Sequence, residues 1–342
     1  MVTLSASDRI LVTGATGLVG SHVAEQARAR GLSVRCLVRG GADTSFLKQC
    51  GCELVTGDLD QPASLRKAVE GISVIVHCAA KVGDWGPTAE YRRINVDGTA
   101  ALAESALATG TLKRWVQISS LGVYEGRDHY GTDESTPPST TGIDGYTLTK
   151  VESELLIVGF IREQGLPAVV LRPGFIYGTR DRTVLPKLLE RLRSGKFAYL
   201  GVPDKLMNNT WVNNLCAAIW LAIERDDVVG EVFNIRDPRA VTKREFIETV
   251  CDAAGIERPK KIVPLFIARG LAKVMEGAWK LLGKKQAPLL NNARLKFLGL
   301  NLDYSIDKAT RMLGYMPAGD FRDAMPESVR DVVGSMKSAG QV

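Results

Sequence analysis

The sequence predicts an α/β fold: a Rossmann-type doubly wound parallel sheet followed by a smaller, mostly helical C-terminal region. Three observations carry this prediction. Short apolar strands alternate with amphipathic helices through the first half, the pattern of a parallel sheet covered on both faces. A glycine-rich run, Thr13-Gly-Ala-Thr-Gly-Leu-Val-Gly20, joins the first strand to the first helix. Beyond Gly178 the alternation loosens.

Taken in order, Ile10-Leu-Val-Thr13 is a buried strand, and Leu18 to Arg30 a helix that Gly31 stops. Ser33 to Arg39 and Cys52 to Thr56 are the next strands. A helix follows from Pro62, where proline suits the first turn. Val74-Ile-Val-His77 and Arg114 to Ser119 are further strands, separated by a helix expected from Thr88 to Thr109. Tyr146 to Glu163 reads as a long helix, and Ala168 to Arg172 as the strand after it. In the second half, Val184 to Arg193 and Trp211 to Glu224 read as helices and Val232-Phe-Asn-Ile235 as a short strand. Thr242 opens a helix and Glu245 completes a capping box. The polar run from Glu125 to Gly145 is expected as a mobile loop beside the Tyr146 helix. No internal repeat or low-complexity segment interrupts the chain.

At 342 residues the chain can bury a full core, and 45% hydrophobic with 24% charged residues argues against global disorder. The net charge of +6 fits solvated surface lysine and arginine; the alternative is attraction to cofactor phosphates, an acidic substrate or an anionic membrane. No basic block with interleaved aromatics points to nucleic acid. Six cysteines are scattered, mostly in apolar runs, as reduced thiols of a cytosolic protein would be. Neither Cys50-Gly-Cys52 nor His22, His77 and His129 have ligand spacing, so no metal is expected. Met1 to Asp8 lacks the regions of a signal peptide, and no apolar run reaches the ~18 residues of a membrane span. A cytoplasmic location is expected.

In the glycine-rich turn, Gly14, Gly17 and Gly20 meet three separate needs: a tight turn, approach of the backbone to a pyrophosphate, and close packing of helix on sheet. The helix N-terminus turns N–H groups and a positive dipole end toward the phosphates. The end of the second strand should meet the adenosine ribose, where an acid would bind the 2′-hydroxyl. This chain has Arg39 there, with Arg35 nearby and no acid until Asp43. A guanidinium grips a 2′-phosphate, so NADP(H) is favoured and NAD(H) stays open. Asp58 either accepts from the adenine amino group or is a plain turn aspartate. Residues 1–180 are expected as the dinucleotide-binding Rossmann domain and 181–342 as the substrate-binding region, with 211–236 returning to the Rossmann core.

Tyr146 and Lys150 stand one helical turn apart, on one helix face. Hydride transfer between a secondary alcohol and nicotinamide needs a group to move the hydroxyl proton. A free tyrosine, with a pKa of about 10, is a poor base, and a neighbouring ammonium is expected to lower it. Ser120, at the end of the Arg114 strand, is placed to hold the substrate oxygen, and Lys150 to grip the nicotinamide ribose.

On these residues the chain resembles the extended short-chain dehydrogenase/reductase superfamily over nearly its whole length. Thr13 to Gly20 matches the cofactor fingerprint, His77-Cys-Ala-Ala80 the strand end that passes the cofactor, and Asn95-Val-Asp-Gly-Thr99 the helix motif whose asparagine supports the site. Ser119-Ser120 with Val123-Tyr124 matches the serine strand, and the spacing selects Ser120. Arg172-Pro-Gly-Phe-Ile-Tyr-Gly178 matches the segment closing over the nicotinamide. The resemblance implies Ser120, Tyr146, Lys150 and Asn95 as the catalytic set. It implies Gly14, Thr16, Gly17, Leu18, Val19, Gly20, Arg39, Asp58, Leu59, Ala79, Ala80, Lys81, Tyr146, Lys150, Pro173, Gly174 and Phe175 around the cofactor.

Within the superfamily the chain is most similar to the 3β-hydroxysteroid dehydrogenase and sterol-4-carboxylate 3-dehydrogenase group, through Ala80 to Pro87, Val232 to Thr242 and the late apolar helix. That implies a lipophilic substrate, sterol-like or a long-chain 3-oxoacid, with decarboxylation following if a 4-carboxylate adjoins the oxidised carbon. Trp85, Ser120 and Tyr146 are the expected substrate contacts, though Trp85 serves equally as a packing residue. The run 264–283, with Arg269, Lys273 and Lys280 interspersed, is either a core helix or a lid that touches a membrane surface. A homodimer through the Tyr146 helix follows the superfamily habit. A nucleotide-sugar epimerase or dehydratase would use the same pair. Leu121-Gly122 stands where a dehydratase carries acids, and Arg39 disfavours the tightly held NAD of an epimerase. A non-enzymatic cofactor sensor would typically lose the tyrosine or lysine.

Overall fold

A computed structural model describes residues 4–340 except 6, 142, 143, 318 and 339. Seven parallel strands form the central sheet: β1 (Arg9–Thr13), β2 (Ser33–Val38), β3 (Glu53–Thr56), β4 (Val74–His77), β5 (Arg114–Ile118), β6 (Ala168–Pro173) and β7 (Val232–Ile235). Their spatial order is β7-β6-β5-β4-β1-β2-β3. The order reverses between β1 and β4, so a crevice opens beyond the carboxyl ends of those two strands, where doubly wound sheets bind ligands.

The strands read as continuous apolar runs because both faces are covered. On one face Val23, Ala24 and Ala27 of α1 (Leu18–Ala29) pack with Leu215 and Ile219 of the Val212–Glu224 helix over Ile10, Val12, Val76 and Val116. On the other, Leu65, Leu102, Ala103, Ile157 and Phe160 cover Leu11, Ile75, Trp115 and Val170. A third core, around Tyr177, Leu189, Phe246, Phe321 and Val329, belongs to the helices beyond β6.

Three departures from the sequence reading bear on the site. The helix expected from Thr88 to Thr109 is broken: Thr88–Arg92 and Gly98–Leu107 are joined by a π-turn at Arg93–Asp97. Part of the 125–145 loop is a strand, His129–Thr132, paired with Leu302–Tyr304; Gly142 and Ile143 of that loop lie outside the described residues. The capping box is half made, since Thr242 Oγ1 accepts from Glu245 N at 3.1 Å but the Glu245 carboxylate pairs with Arg239.

Candidate active site

The glycine turn lies at the mouth of the crevice. Gly14 has φ of +66°, and a Cβ there would come within 2.8 Å of Ala79 N, so only glycine fits. At Gly20 a Cβ would meet Ala15 Cα at 2.7 Å, because α1 packs directly on the turn. Gly17 caps α1 in extended conformation, no acid sits in the first turn, and Thr16, Leu18 and Val19 flank it. This leaves a helix N-terminus with unopposed positive character.

Beyond β2 and β3 a cavity of about 380 Å³ is lined by Arg39, Gly40, Gly41, Ala42, Thr56, Gly57, Asp58 and Gln61. Arg39 is exposed on its rim and makes no ion pair among the described residues. Leu59 is buried, and Gly98 approaches it closely enough that a Cβ would lie 2.7 Å from the leucine Cβ. Arg35 does not join this cavity. Its guanidinium is buried, donating to Glu53 Oε1 at 2.9 Å and to the carbonyls of Ala68 and Glu70 at 3.0 and 2.8 Å. It thus ties down the end of the Pro62–Val69 helix.

At the end of β4, His77 carries a single tautomer that its neighbours dictate. Thr99 Oγ1 donates to Asn95 O at 2.7 Å, so it accepts from His77 Nε2 at 3.0 Å. His77 Nδ1 then accepts from Thr13 Oγ1 at 2.8 Å, which itself accepts from Ala79 N at 3.2 Å. Burial, with the Lys150 charge nearby, pushes the imidazole down to about 3, so it stays neutral. The chain locks the β4 end, including half-buried Ala79 and Ala80, to the glycine turn.

Asn95 sits in the π-turn, a device that recurs at functional sites. Its Oδ1 accepts from Lys81 N at 2.7 Å, and its Nδ2 donates to Lys81 O and to Thr149 Oγ1, at 3.1 and 3.0 Å. One buried amide therefore fixes the β4 loop against the helix bearing Tyr146 and Lys150. Lys81 Nζ turns outward to Glu90 at 2.6 Å.

That helix, Gly145–Gln164, is capped by Asp144, whose Oδ1 accepts from Thr147 N at 2.8 Å. Lys150 is buried, donates to Ile118 O at 2.5 Å, and is pushed down to about 8 by burial against the opposing pull of Glu154. The expectation that Lys150 lowers Tyr146 does not hold in this structure. Burial, with Asp144 adding, pushes the half-buried phenol up to about 12. The two side chains share a helix face, but the lysine stem carries its charge to the end of β5. Tyr146 therefore holds its proton at neutral pH.

The two serines have opposite fates. Ser119 is buried and donates to Glu154 Oε2 at 2.5 Å. Ser120 is half-buried at the start of a short turn, Leu121–Val123, where its Oγ accepts from Gly122 N at 2.9 Å. Glu154 is also gripped by Arg172, whose NH1 donates to Tyr124 OH at 2.7 Å; that hydroxyl reaches Asn234 Oδ1 at 2.9 Å. Sequence reasoning gave no role to Glu154 or Thr149, nor to Thr99, which closes the Asn95 motif. The signal for Glu154 was the spacing Tyr146, Lys150, Glu154, which stacks three polar groups on one helix face.

Past Pro173, Gly174 N donates to Thr210 Oγ1 at 3.0 Å, and Phe175 N to Asn208 O at 2.8 Å, so this segment bends from the sheet into the C-terminal region. The Phe175 ring lies 5.0 Å from Phe297 and 5.4 Å from Phe246. Trp85 is half-buried and donates from Nε1 to Lys284 O at 2.9 Å, while neighbouring Asp84 pairs with Arg294 at 2.5 Å. The Leu265–Leu281 helix buries only Ala268 and Ala272 in full; Phe266, Val274 and Leu281 are 76%, 71% and 88% exposed, so it is not a core helix. Among the described residues no group of acids, cysteines or histidines is arranged to hold a metal, and no helix is long and apolar enough to cross a membrane.

A seven-stranded parallel sheet, a glycine turn at its switch point and a tyrosine–lysine helix beside a strand-end serine define an oxidoreductase of the extended short-chain dehydrogenase/reductase class. Residues 10–235 match the NAD dependent epimerase/dehydratase family model, and the chain belongs to that family. It is a dehydrogenase or reductase acting on hydroxyl or ketone groups. It is 32% identical over 309 residues to a 4-hydroxy-2-methyl-3-oxo-4-farnesyl-3,4-dihydroquinoline-1-oxide ketoreductase of Stigmatella aurantiaca, covering 90% of this chain and 91% of that one. It is 32% identical over 334 residues to a 3-beta-hydroxysteroid dehydrogenase of Mycolicibacterium neoaurum, covering 93% and 90%. The crystal structure of gox2253 is similar with a TM-score of 0.81 and 29% identity, over 98% of this chain and 99% of that one.

Proposed function

We propose that the protein is an NADP(H)-dependent reductase interconverting a ketone and a secondary alcohol on a lipophilic substrate, a long-chain 3-oxoacid or a 3β-hydroxysteroid-like molecule. The observation that carries this reading is the helix bearing Tyr146 and buried Lys150, which packs through Val151 against Leu121 and Val123 of the Ser120 turn. A protonated phenol is the form that donates to a ketone oxygen, the role asked of it in the reductive direction. In this reading Ser120 holds the carbonyl oxygen, Tyr146 delivers the proton, Lys150 orients the nicotinamide ribose, and Asn95 fixes the geometry. Trp85 stands at the substrate side. Residues 1–180 bind cofactor, and 181–342 bind substrate, apart from the 211–236 segment that joins the sheet.

The cradle fits a dinucleotide: a glycine turn that a Cβ would fill, an unopposed helix N-terminus and a cavity at the adenosine end. Gly14, Thr16, Gly17, Leu18, Val19 and Gly20 would hold the pyrophosphate, Arg39, Asp58 and Leu59 the adenosine end, and Ala79 to Lys81 with Pro173 to Phe175 the nicotinamide end. The bound cofactor supplies the hydride. Arg39, exposed on a rim with no carboxylate paired to it among the described residues, favours NADP(H).

The test is turnover of NADPH and NADH with long-chain 3-oxoacids, 3-keto-steroids and neutral apolar ketones. The expected result is preferential use of NADPH on an apolar ketone. Arg39→Glu should cut the NADPH preference by about 10- to 100-fold, the effect of one charged hydrogen bond. Unchanged preference in that variant contradicts the cofactor assignment.

The same reading gives the substrate a source. On the Leu265–Leu281 helix, Phe266, Ile267, Leu271, Val274 and Leu281 form an exposed apolar stripe edged by Arg269, Lys273 and Lys280. That is the pattern of a helix lying in an anionic membrane interface. Wild-type protein should co-sediment with vesicles containing phosphatidylglycerol and not with phosphatidylcholine alone, and Val274→Glu should release it. Equal recovery with both vesicle types, or with neither, contradicts this reading. Six free cysteines suit a reducing cytoplasm on whose membrane face the protein would work.

A further inference from the structure

The turn that carries Ser120 is held from outside the sheet. Lys296, on the Asn292–Gly299 helix, donates from Nζ to Gly122 O and Tyr124 O, both at 2.6 Å. We propose that Lys296 is a positioning residue for proton transfer, fixing the Ser120 hydroxyl by clamping the turn around Gly122. This rests on the reading of Ser120 and Tyr146 given above.

Gly122 is engaged on both sides. Its N–H donates to Ser120 Oγ at 2.9 Å and its carbonyl accepts from Lys296. With Oγ already accepting one hydrogen bond, the Ser120 proton is left to donate elsewhere. A Cβ at Gly122 would come to 3.1 Å from Ser120 Oγ, so a larger residue there would press on the serine hydroxyl. Glycine is also the residue with the most backbone freedom, so the turn needs an external restraint. Two short charge-assisted bonds from one ammonium, spanning the turn from Gly122 to Tyr124, provide it. Leu121 and Val123 add apolar anchorage against Leu300, Leu302 and Val151.

The placement of Lys296 also links the site's loops. Asp144, which caps the Tyr146 helix, and Glu125 are the carboxylates that favour its charged form against burial. The same short helix carries Arg294, paired with Asp84, and Phe297, whose ring lies tilted 5.0 Å from that of Phe175. Seating of the C-terminal region and orientation of Ser120 are thereby coupled.

The test is a double-mutant cycle with Ser120→Ala and Lys296→Met, reading kcat, KM, NADPH affinity and melting temperature. Ser120→Ala should lower kcat by about 10²–10³-fold, the loss typical of one oxyanion donor. Lys296→Met should lower kcat by about tenfold or more with NADPH affinity unchanged, and should add nothing in the Ser120→Ala background. Lys296→Arg, which keeps the charge, should retain most of kcat and serves if the methionine variant melts early. Multiplicative losses in the double variant overturn the proposal. So does a loss confined to KM for acidic substrates, which would make Lys296 a substrate counter-ion. Full activity of Ser120→Ala alone would instead remove the reading beneath it.

Discussion

Replacing Tyr146 with phenylalanine should lower kcat for ketone reduction by about 10³-fold, within the range that a positioned general acid supplies. NADPH affinity should change little, because in the proposed mechanism the lost hydroxyl serves the substrate oxygen. In the proposed reaction Tyr146 starts protonated, its phenol pushed up to about 12 by burial and by Asp144. Phenylalanine fills the same half-buried volume, so the fold has no reason to respond. Single-turnover reduction followed by nicotinamide absorbance isolates the chemical step. An unaltered rate would mean that water or another side chain delivers the proton.

Glu154→Ala should destabilise the protein by on the order of 3–5 kcal/mol, the usual cost of stranding one partner of a buried ion pair. Glu154 and Arg172 are 2% and 3% exposed, joined by contacts of 2.5 to 3.1 Å. Removing the carboxylate leaves a guanidinium with Tyr124 as its remaining side-chain partner and deprives Ser119 of its acceptor. Removing both charges as Glu154→Leu with Arg172→Met should cost less than the single change, since an apolar pair carries no desolvation penalty. Urea melts of the variants check this, and a single-variant loss under about 1 kcal/mol contradicts it. Loss of Glu154 also removes the carboxylate that opposes desolvation of Lys150, so Lys150 should titrate still lower.

Much of the fold was legible because it is written locally. The strand–helix alternation reports a sheet buried on both faces, and the glycine spacing reports the tight local packing of helix on turn, as at Gly20 against Ala15. The helix phase alone places Tyr146 and Lys150 on one face. What local spacing cannot give is where a long side chain ends. Lys150 reaches a carbonyl of β5, and so the simple picture of an ammonium beside a phenol fails. Arg35 lies four residues before Arg39 along an extended strand, about 13 Å away at ~3.3 Å per residue, and serves the opposite end of the sheet. The contacts of Lys296 with Gly122 and of Trp85 with Lys284 join segments far apart in the chain, and no periodicity announces them.

Hydride transfer to a lipophilic ketone is tested most directly by deuterium tracing. Wild-type protein would be incubated with deuterated NADPH and the ketone that it reduces best, and the alcohol analysed by mass spectrometry. The expected result is one deuterium at the carbinol carbon of the product, and none with Tyr146→Phe on the same time scale. Absence of transfer to any ketone, from protein that retains NAD through purification and interconverts nucleotide sugars, would contradict it.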